Sequence, residues 1–409
     1  MLRSVSLFSG IGGLDFGFEA AGFRTTTALE FDPTACKTMR LNKKWAVIED
    51  DIHRVSSGAI LEAGGLDEVD MLFGGPPCQP FSKSSYWANG DTLRLDDPRA
   101  DTLTAYLRVV HDLKPRVLLL ENVSGLTYKG KDEGLQLILR GLAQINRTQG
   151  TNYRPVWKIL NAADFGVPQS RERVFIVAAR DGRMFDFPLP THRRPHPTDD
   201  SLIADDLLPC TTAWDAIGDL DAPPSMDGLT VAGKWGDLLP SIPEGQNYLW
   251  HTPRGGGIPL FGWRTRYWSF LLKLSKTLPS WTIQAQPGSA IGPFHWDNRR
   301  LTISELCRIQ TFPDGLKFAS GRTESQRMIG NAVPSLLAEI LARQIRKQFF
   351  GARSAGKPTL LHTMPGSPPK AARVRPVHAK YLHLVGEHAP HPGSRKEVAK
   401  RAARAADPL

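Results

Sequence analysis

Short apolar runs alternate with amphipathic stretches through the first 180 residues. Runs at 5–8, 26–30, 46–48, 71–73, 117–121, 157–160 and 174–178 have strand length and are bounded by polar or glycine-rich positions. Between them, 14–21, 33–41, 102–113 and 133–145 place apolar residues at helical spacing. Strands alternating with helices predict an α/β domain built on a doubly wound, mostly parallel sheet. Ligands of such sheets sit at the carboxyl ends of the strands, and the residues of chemical interest lie at those ends.

The pattern changes at 181–299. Helical periodicity fades, Pro and Gly become frequent, and seven of the ten tryptophans fall here. Arginines interleave with aromatics in Trp250-His-Thr-Pro-Arg254 and Trp263-Arg-Thr-Arg-Tyr-Trp268. A separate small domain, irregular or strand-rich, is expected. Its tryptophans read first as core, while Arg254, Arg264 and Arg266 are harder to bury and face a partner. Helical pattern returns at 300–350, with Ser304 as cap of a helix through Gln310 and a second helix over 334–350 that opens on proline. The stretch 351–409 has no sustained apolar period and reads as a basic, disordered tail.

Charge sharpens this division. The net charge of +10 resides mostly in 351–409, which holds 11 Lys/Arg against 3 Asp/Glu, while 1–350 holds 40 against 38. Any nucleic-acid cleft in the body must therefore come from local clustering. Four scattered cysteines without a CxxC pair argue against a zinc site and a disulfide framework, so no metal is expected. No apolar run has the length of a membrane span, and the first residues lack the features of a signal peptide. A cytoplasmic monomer without membrane contact is the expectation.

The first strand runs into Phe8-Ser-Gly-Ile-Gly-Gly13, where glycine lets a ligand approach the backbone. The dinucleotide fingerprint fails, because Asp15 stands where its third glycine belongs. Glu30 closes the second strand and can accept ribose hydroxyls. Asp51 follows the third strand and can meet an adenine amino group, with Phe8 against the adenine face. Each carboxylate alone is equally well a cap or a surface group; the ordered set describes a nucleoside site without a phosphate cradle, which suits S-adenosylmethionine.

Cys78 follows the fourth strand in Gly74-Gly-Pro-Pro-Cys-Gln-Pro-Phe-Ser82. A lone cysteine is usually a small core residue, but a Gly-Gly-Pro-Pro setting is an odd core. Glu121 ends an apolar strand, a position that raises a carboxyl pKa and suits a proton donor, or that is satisfied by backbone donors. Together they suit addition of a thiolate to carbon 6 of cytosine with protonation at ring nitrogen 3, which makes carbon 5 nucleophilic towards a methyl sulfonium. The base must leave the duplex stack for this chemistry. In Gln169-Ser-Arg-Glu-Arg173, strand alternation would point Gln169, Arg171 and Arg173 together, towards the base, a phosphate or Glu121; a surface charge pair is the plain alternative.

With these segments in this order, the chain resembles bacterial DNA cytosine-5 methyltransferases of the restriction-modification type, over about 3–180 and 299–345. The elements are Leu7-Phe-Ser-Gly-Ile-Gly-Gly, Glu30-Phe-Asp, Asp51-Ile, Pro76-Pro-Cys-Gln-Pro-Phe-Ser, Glu121-Asn-Val, Gln169-Ser-Arg-Glu-Arg, Arg308-Ile-Gln-Thr-Phe-Pro313 and Gly330-Asn-Ala-Val-Pro334. The resemblance implies the Rossmann-like fold of S-adenosylmethionine-dependent methyltransferases. It implies Cys78, Glu121, Arg171 and Arg173 as catalytic residues, with Arg171 helping to hold the base. It implies Phe8, Ser9, Gly10, Gly12, Glu30, Phe31, Asp51, Ile52, Pro76, Asn331 and Ala332 at the methyl donor, so the last helix must pack back on the first glycine turn. It implies Ser82, Arg99, Gln169, Arg254, Arg264 and Arg266 at double-stranded DNA, with 82–99 closing over it and 181–299 as target recognition domain. A separately acting restriction endonuclease is the implied partner. Ser6 stands where many relatives carry an acid, and Cys307, where a small apolar residue is usual, reads as core. The same scaffold acting on RNA cytosine is the alternative, and a non-catalytic nucleic-acid binder the third reading.

Overall fold

The structure, a computed structural model, describes residues 1–77, 101–128, 132–193, 206–263, 267–352, 356–361 and 366–386. Seven strands form one sheet: β1 (Leu2–Leu7), β2 (Phe23–Glu30), β3 (Ala46–Glu49), β4 (Met71–Gly74), β5 (Val117–Val123), β6 (Val156–Asn161) and β8 (Glu172–Ala179). Their spatial order is β3-β2-β1-β4-β5-β8-β6. Pairings from β3 to β5 are parallel, and β8 runs antiparallel to both β5 and β6. The expected mostly parallel sheet is present, with every strand read from the sequence. The reversal at one edge follows from the connection between β6 and β8, which is too short for a helical crossover.

Alternate strand residues supply two separate cores. Val5, Leu7, Leu72, Leu118, Leu120 and Ile176 face a cluster completed by the helices α3 (Ser57–Gly64), α4 (Asp101–Leu113) and α5 (Glu133–Gln149). Met71, Phe73, Leu119, Phe175 and Val177 face a second, completed by α1 (Gly13–Ala20) and a helix from the far end of the chain, 335–350. The α2 helix (Pro33–Asn42) is set by Asp32, whose carboxylate accepts from Thr34 N (2.8 Å) and Ala35 N (3.3 Å), and by Pro33 in the first turn.

Two further ladders are two residues long: β7 (Gln169–Ser170) with β11 (Ser280–Trp281), and β9 (His192–Arg193) with β10 (Leu208–Pro209). The remaining helices are α6 (Ala213–Ile217), α7 (Ile303–Ile309), α8 (Arg322–Asn331) and α9 (Ser335–Phe350). Because α7 begins at Ile303, Ser304 lies inside its first turn and does not cap it.

The chain divides into two compact units, 1–221 with 277–286 and 303–366, and 222–276 with 287–302 and 367–409. The expected boundary at 181–299 is thus too wide. Residues 181–221 and 277–286 belong to the sheet-bearing unit, where Ser280 N donates to Pro168 O (2.9 Å) and Ala213 N to Leu278 O (2.9 Å). The second unit holds a core of Leu238, Leu239, Ile242, Tyr248, Leu260, Leu271 and Phe294, joined by isolated bridges and 3-10 turns. Among its described residues it has no extended strand, so of the two expected textures it takes the irregular one.

The tail is not disordered throughout. Glu339 is fully buried on α9, and its carboxylate accepts from Thr359 N (2.7 Å), Leu360 N (2.9 Å) and Arg343 Nε (2.8 Å). A buried carboxylate needs such donors, and the chain after 350 supplies them. Residues 367–386 belong to the second unit.

Candidate active site

Every strand from β3 to β5 ends at one edge of the sheet, and the strand order lays the singled-out residues along it. Asp51 follows β3, Glu30 closes β2, the glycine turn follows β1, Pro76 follows β4 and Glu121 lies near the end of β5. The β3-β2-β1 half carries the residues expected at the methyl donor. Between β1 and β4 the strand order switches direction, the place where open α/β sheets form a crevice.

In the donor half, Phe8 leaves β1 with φ 54°, a conformation a bulky residue rarely adopts, and Gly10 (φ 56°) follows. Glu30 fixes this turn: Oε2 accepts from Gly10 N (2.7 Å) and Oε1 from Asp32 N (2.9 Å). Burial pushes the Glu30 carboxyl up, against these two amides. So Glu30 first holds the turn together, a role the sequence reading did not give it. Beside it the Phe31 ring is 67% exposed. Phe8 is half-buried and packs on the first core, Ile52 is buried, and Asp51 accepts from His53 N (3.0 Å) in a local turn.

The far end of the chain returns to this turn as expected. A Cβ placed on Gly13 would lie 2.5 Å from Val333 O and 3.1 Å from Ala332 Cβ, and one on Gly17 2.4 Å from Ser335 O. Asn331 is exposed at the end of α8, beside the glycine turn. Arg327 of the same helix pairs with Asp32, which ties it to the start of α2.

Beneath the turn lies a polar network the sequence did not announce. Asp15 is fully buried; Ser6 Oγ donates to its Oδ2 (3.0 Å) and Thr25 Oγ1 to its Oδ1 (3.2 Å), while Ser9 Oγ donates to Ser6 Oγ (2.8 Å). Ser6, noted as a departure from the family pattern, thus finds its acid in Asp15, nine residues on. Burial pushes the Asp15 carboxyl up to about 7, against the hydroxyls of Ser6 and Thr25. In the unfolded chain the same group loses its proton near pH 4. Between these values the native state holds a proton that the unfolded state lacks, so this contribution to stability is full below about pH 4 and is lost as pH rises through 7. Asp15→Asn keeps the hydroxyl contacts and removes the titration. It is expected to gain about 2–4 kcal/mol over the wild type at pH 8 and to show no gain at pH 4. Urea unfolding at the two pH values measures this, and an equal difference at both would refute it.

In the catalytic half the chain after β4 is pressed against Glu121. A Cβ on Gly75 would lie 2.8 Å from Glu121 Oε2, so any side chain there would displace the carboxylate. Asn122 Nδ2 donates to Pro76 O (3.2 Å), which anchors the segment two residues before Cys78. Glu121 Oε1 pairs with Arg173 Nε at 3.0 Å, both side chains largely buried. Burial pushes the Glu121 carboxyl above the ordinary carboxylate range, opposed by Arg173 and then Arg171. Cys78 itself, with Ser82, Arg99, Arg264 and Arg266, lies outside the described residues.

Arg171 and Arg173 both act electrostatically on Glu121, as strand alternation suggests, but Gln169 turns elsewhere. The strand breaks at Arg171, so Gln169 belongs to the β7–β11 ladder and Arg173 to the main sheet. Gln169 is fully buried, bonded through Nε2 to Gln310 Oε1 (2.9 Å) and through Oε1 to Ile283 N (3.0 Å), which places it away from any DNA surface. Arg171 is 1% exposed and donates through Nη2 to Gly330 O (2.8 Å) and through Nη1 to Ile283 O (3.4 Å). Its Nε has no hydrogen-bond partner among the described residues. Arg171 thus braces three distant segments within electrostatic reach of Glu121, and Arg173 makes the direct pair with Glu121. Arg171→Met should cost about 3 kcal/mol in urea unfolding, because two buried carbonyls lose charged donors. An unchanged unfolding midpoint would remove the brace.

The second unit carries one expected DNA residue among the described ones. The Arg254 guanidinium is exposed and lies 4.1 Å from the Trp263 ring centroid; Tyr267 and Trp268 are exposed nearby in sequence. Cys307 is buried, as expected, with its thiol pushed up to about 12 by burial. Among the described residues no cluster of three or more His, Cys, Asp or Glu could hold a metal, and no helix is long and apolar enough to cross a membrane.

Comparison with known proteins places these observations. Residues 2–347 match the family model of C-5 cytosine-specific DNA methylases. The chain is 40% identical over 380 residues to the Type II methyltransferase M.SacI of Streptomyces achromogenes, covering 87% of this chain and 95% of that protein. It is 34% identical over 345 residues to the Type II methyltransferase M.NgoFVII of Neisseria gonorrhoeae, covering 84% and 86%. Among solved structures, a putative DNA modification methyltransferase encoded within an E. coli prophage superposes with TM-score 0.60 at 21% identity, covering 85% of this chain and 99% of that one. A DNMT2 variant of Spodoptera frugiperda superposes with TM-score 0.58 at 17% identity, covering 86% and 100%. With the family match spanning the sheet, the glycine turn, the Pro-Pro-Cys segment and the returning helix, the chain belongs to the C-5 cytosine-specific DNA methylases.

Proposed function

We propose that this enzyme methylates carbon 5 of cytosine within a specific double-stranded DNA sequence and, as a Type II enzyme, protects that DNA from a separately acting endonuclease. The observation that carries the reading is the Glu121–Arg173 pair held against Gly75, on the segment that leads into Cys78. S-adenosylmethionine, when bound, supplies an electrophilic methyl group. The residues fit such a donor: a strained glycine turn braced by Glu30, the exposed Phe31 ring for an adenine face, and Asp51 just past the next strand.

The Cys78 thiolate adds to carbon 6 of a cytosine that has left the stack, at a cost of about a few kcal/mol. Glu121, whose hold on a proton burial strengthens, gives its proton to ring nitrogen 3, so the electron pair gained from sulfur is available at carbon 5. Carbon 5 takes the methyl group, then loses its proton to a base as the thiolate departs, and ring nitrogen 3 returns its proton to Glu121, so the neutral aromatic ring is restored. Arg173 holds the Glu121 carboxyl in place through this cycle. Arg254 and the aromatics around it supply a basic, stacking surface for the duplex in the second unit, the proposed recognition domain.

Expression in a host that lacks cytosine-5 methylation, followed by bisulfite sequencing, tests this directly. Protected cytosines within one short sequence are expected. Covalent trapping on 5-fluorocytosine substrates separates the nucleic acids: a shifted band with duplex DNA supports the proposal, and a band with RNA alone reverses it.

A further inference from the structure

The family match ends at residue 347, yet the chain after it does something specific in the second unit. Tyr381 is 2% exposed inside that unit's core, its ring stacked on Trp235 with centroids 5.7 Å apart and planes at 16°. The Tyr381 hydroxyl donates to Lys234 O (2.8 Å). Val377 and Leu384 pack on the same cluster, Arg375 N donates to Pro240 O (3.0 Å), and Lys380 pairs with Asp237. The segment 367–386 is therefore a strap fastened to the unit through 375–384.

Its outer face is basic. Residues 367–386 hold four Lys/Arg and no Asp/Glu, whereas 222–276 and 287–302 together hold eight and four. The strap thus doubles the net positive charge of the unit. Lys380 is occupied by Asp237, but Lys370, Arg373 and Arg375 are exposed and their side chains have no ion-pair partner among the described residues. Arg375 lies where the strap is fastened, with Arg373 and Lys370 just before it, so these cations are tethered close to the unit and cost less to bind to a polyanion than cations on a loose tail. The spacing is too irregular for base readout and suits the DNA backbone.

We propose that this strap is a phosphate-contacting arm of the recognition unit, in which Lys370, Arg373 and Arg375 grip the DNA backbone irrespective of sequence. The proposal rests on the reading of the second unit as the DNA-binding one. The test compares full-length wild type with the triple variant Lys370→Glu, Arg373→Glu, Arg375→Glu, all at exposed positions. Methylation of a plasmid carrying the target sequence is followed as a function of potassium chloride, and binding of a non-specific 30-base-pair duplex by fluorescence anisotropy.

Removing three phosphate contacts should lower the slope of log affinity against log salt by about 2 to 3. The loss should fall on KM for DNA, raise it by at least about tenfold at low salt, and leave the methylated sequence the same. A second variant, Tyr381→Ala, unfastens the strap; it should weaken duplex binding in the same sense with a smaller change in slope. An unchanged salt slope in the triple variant overturns the arm. So does a slope change matched by a glutamate triple placed at Arg24, Arg147 and Arg154 on the sheet-bearing unit, since that would be bulk charge. If wild type binds neither duplex nor target, the underlying reading of the second unit has failed instead, and the two failures are told apart by that lane alone.

Discussion

Cys78→Ala is expected to lower methyl transfer by at least about 10⁴-fold, the scale set by removing a covalent nucleophile. Single-turnover transfer of labelled methyl to the target duplex measures it. The other thiols offer no substitute. Cys36 and Cys307 are buried with pKa values pushed up to about 12, and burial also raises Cys210. None is a thiolate near neutral pH. Duplex binding should stay near wild type, since a methyl in place of the thiol removes only the attacking atom. Trapping on 5-fluorocytosine DNA should vanish together with turnover. Retained turnover would sink covalent addition by this residue.

Glu121→Gln comes second in size, at about 10²- to 10⁴-fold on the rate, the usual range for a positioned proton donor. The amide keeps the shape beside Gly75 and still reaches Arg173, so donor and duplex binding should hold. The pH dependence carries the more specific signature. Because burial raises the Glu121 carboxyl, its proton is available over a wider range than an ordinary glutamate allows and is lost as pH rises. The wild-type rate should therefore fall on the alkaline side as this group ionises, and the variant should lack that fall. A variant with the same alkaline limb would assign the proton to another group.

The strands were legible because they alternate faces so regularly that the two cores separate residue by residue along β4, β5 and β8. The order of motifs was legible too, since each sits at a strand end. What escaped was whatever depended on where a strand stops or on a partner remote in sequence. Strand alternation pointed Gln169, Arg171 and Arg173 one way; the break at Arg171 sent them to Gln310, Gly330 and Glu121. The α8 helix, Arg-Thr-Glu-Ser-Gln-Arg-Met-Ile-Gly-Asn, has too few apolar residues to show a period. Asp15 looked like a failed glycine of a dinucleotide motif, and only its burial with Ser6 and Thr25 gave it a role. The strap had one readable signal, Val377, Tyr381 and Leu384 at helical spacing within an otherwise tail-like composition.

The packing of α9 onto α1 has a consequence for synthesis. All seven strands of the main sheet lie before residue 180, but the helix that covers Leu14, Phe18 and Phe73 ends at Phe350. A nascent chain that has made its whole sheet still exposes that apolar face while the ribosome adds roughly 170 more residues, about 10–30 s at ordinary elongation rates. That face is covered only after most of the second unit has been made, and chaperones have an apolar target in the meantime.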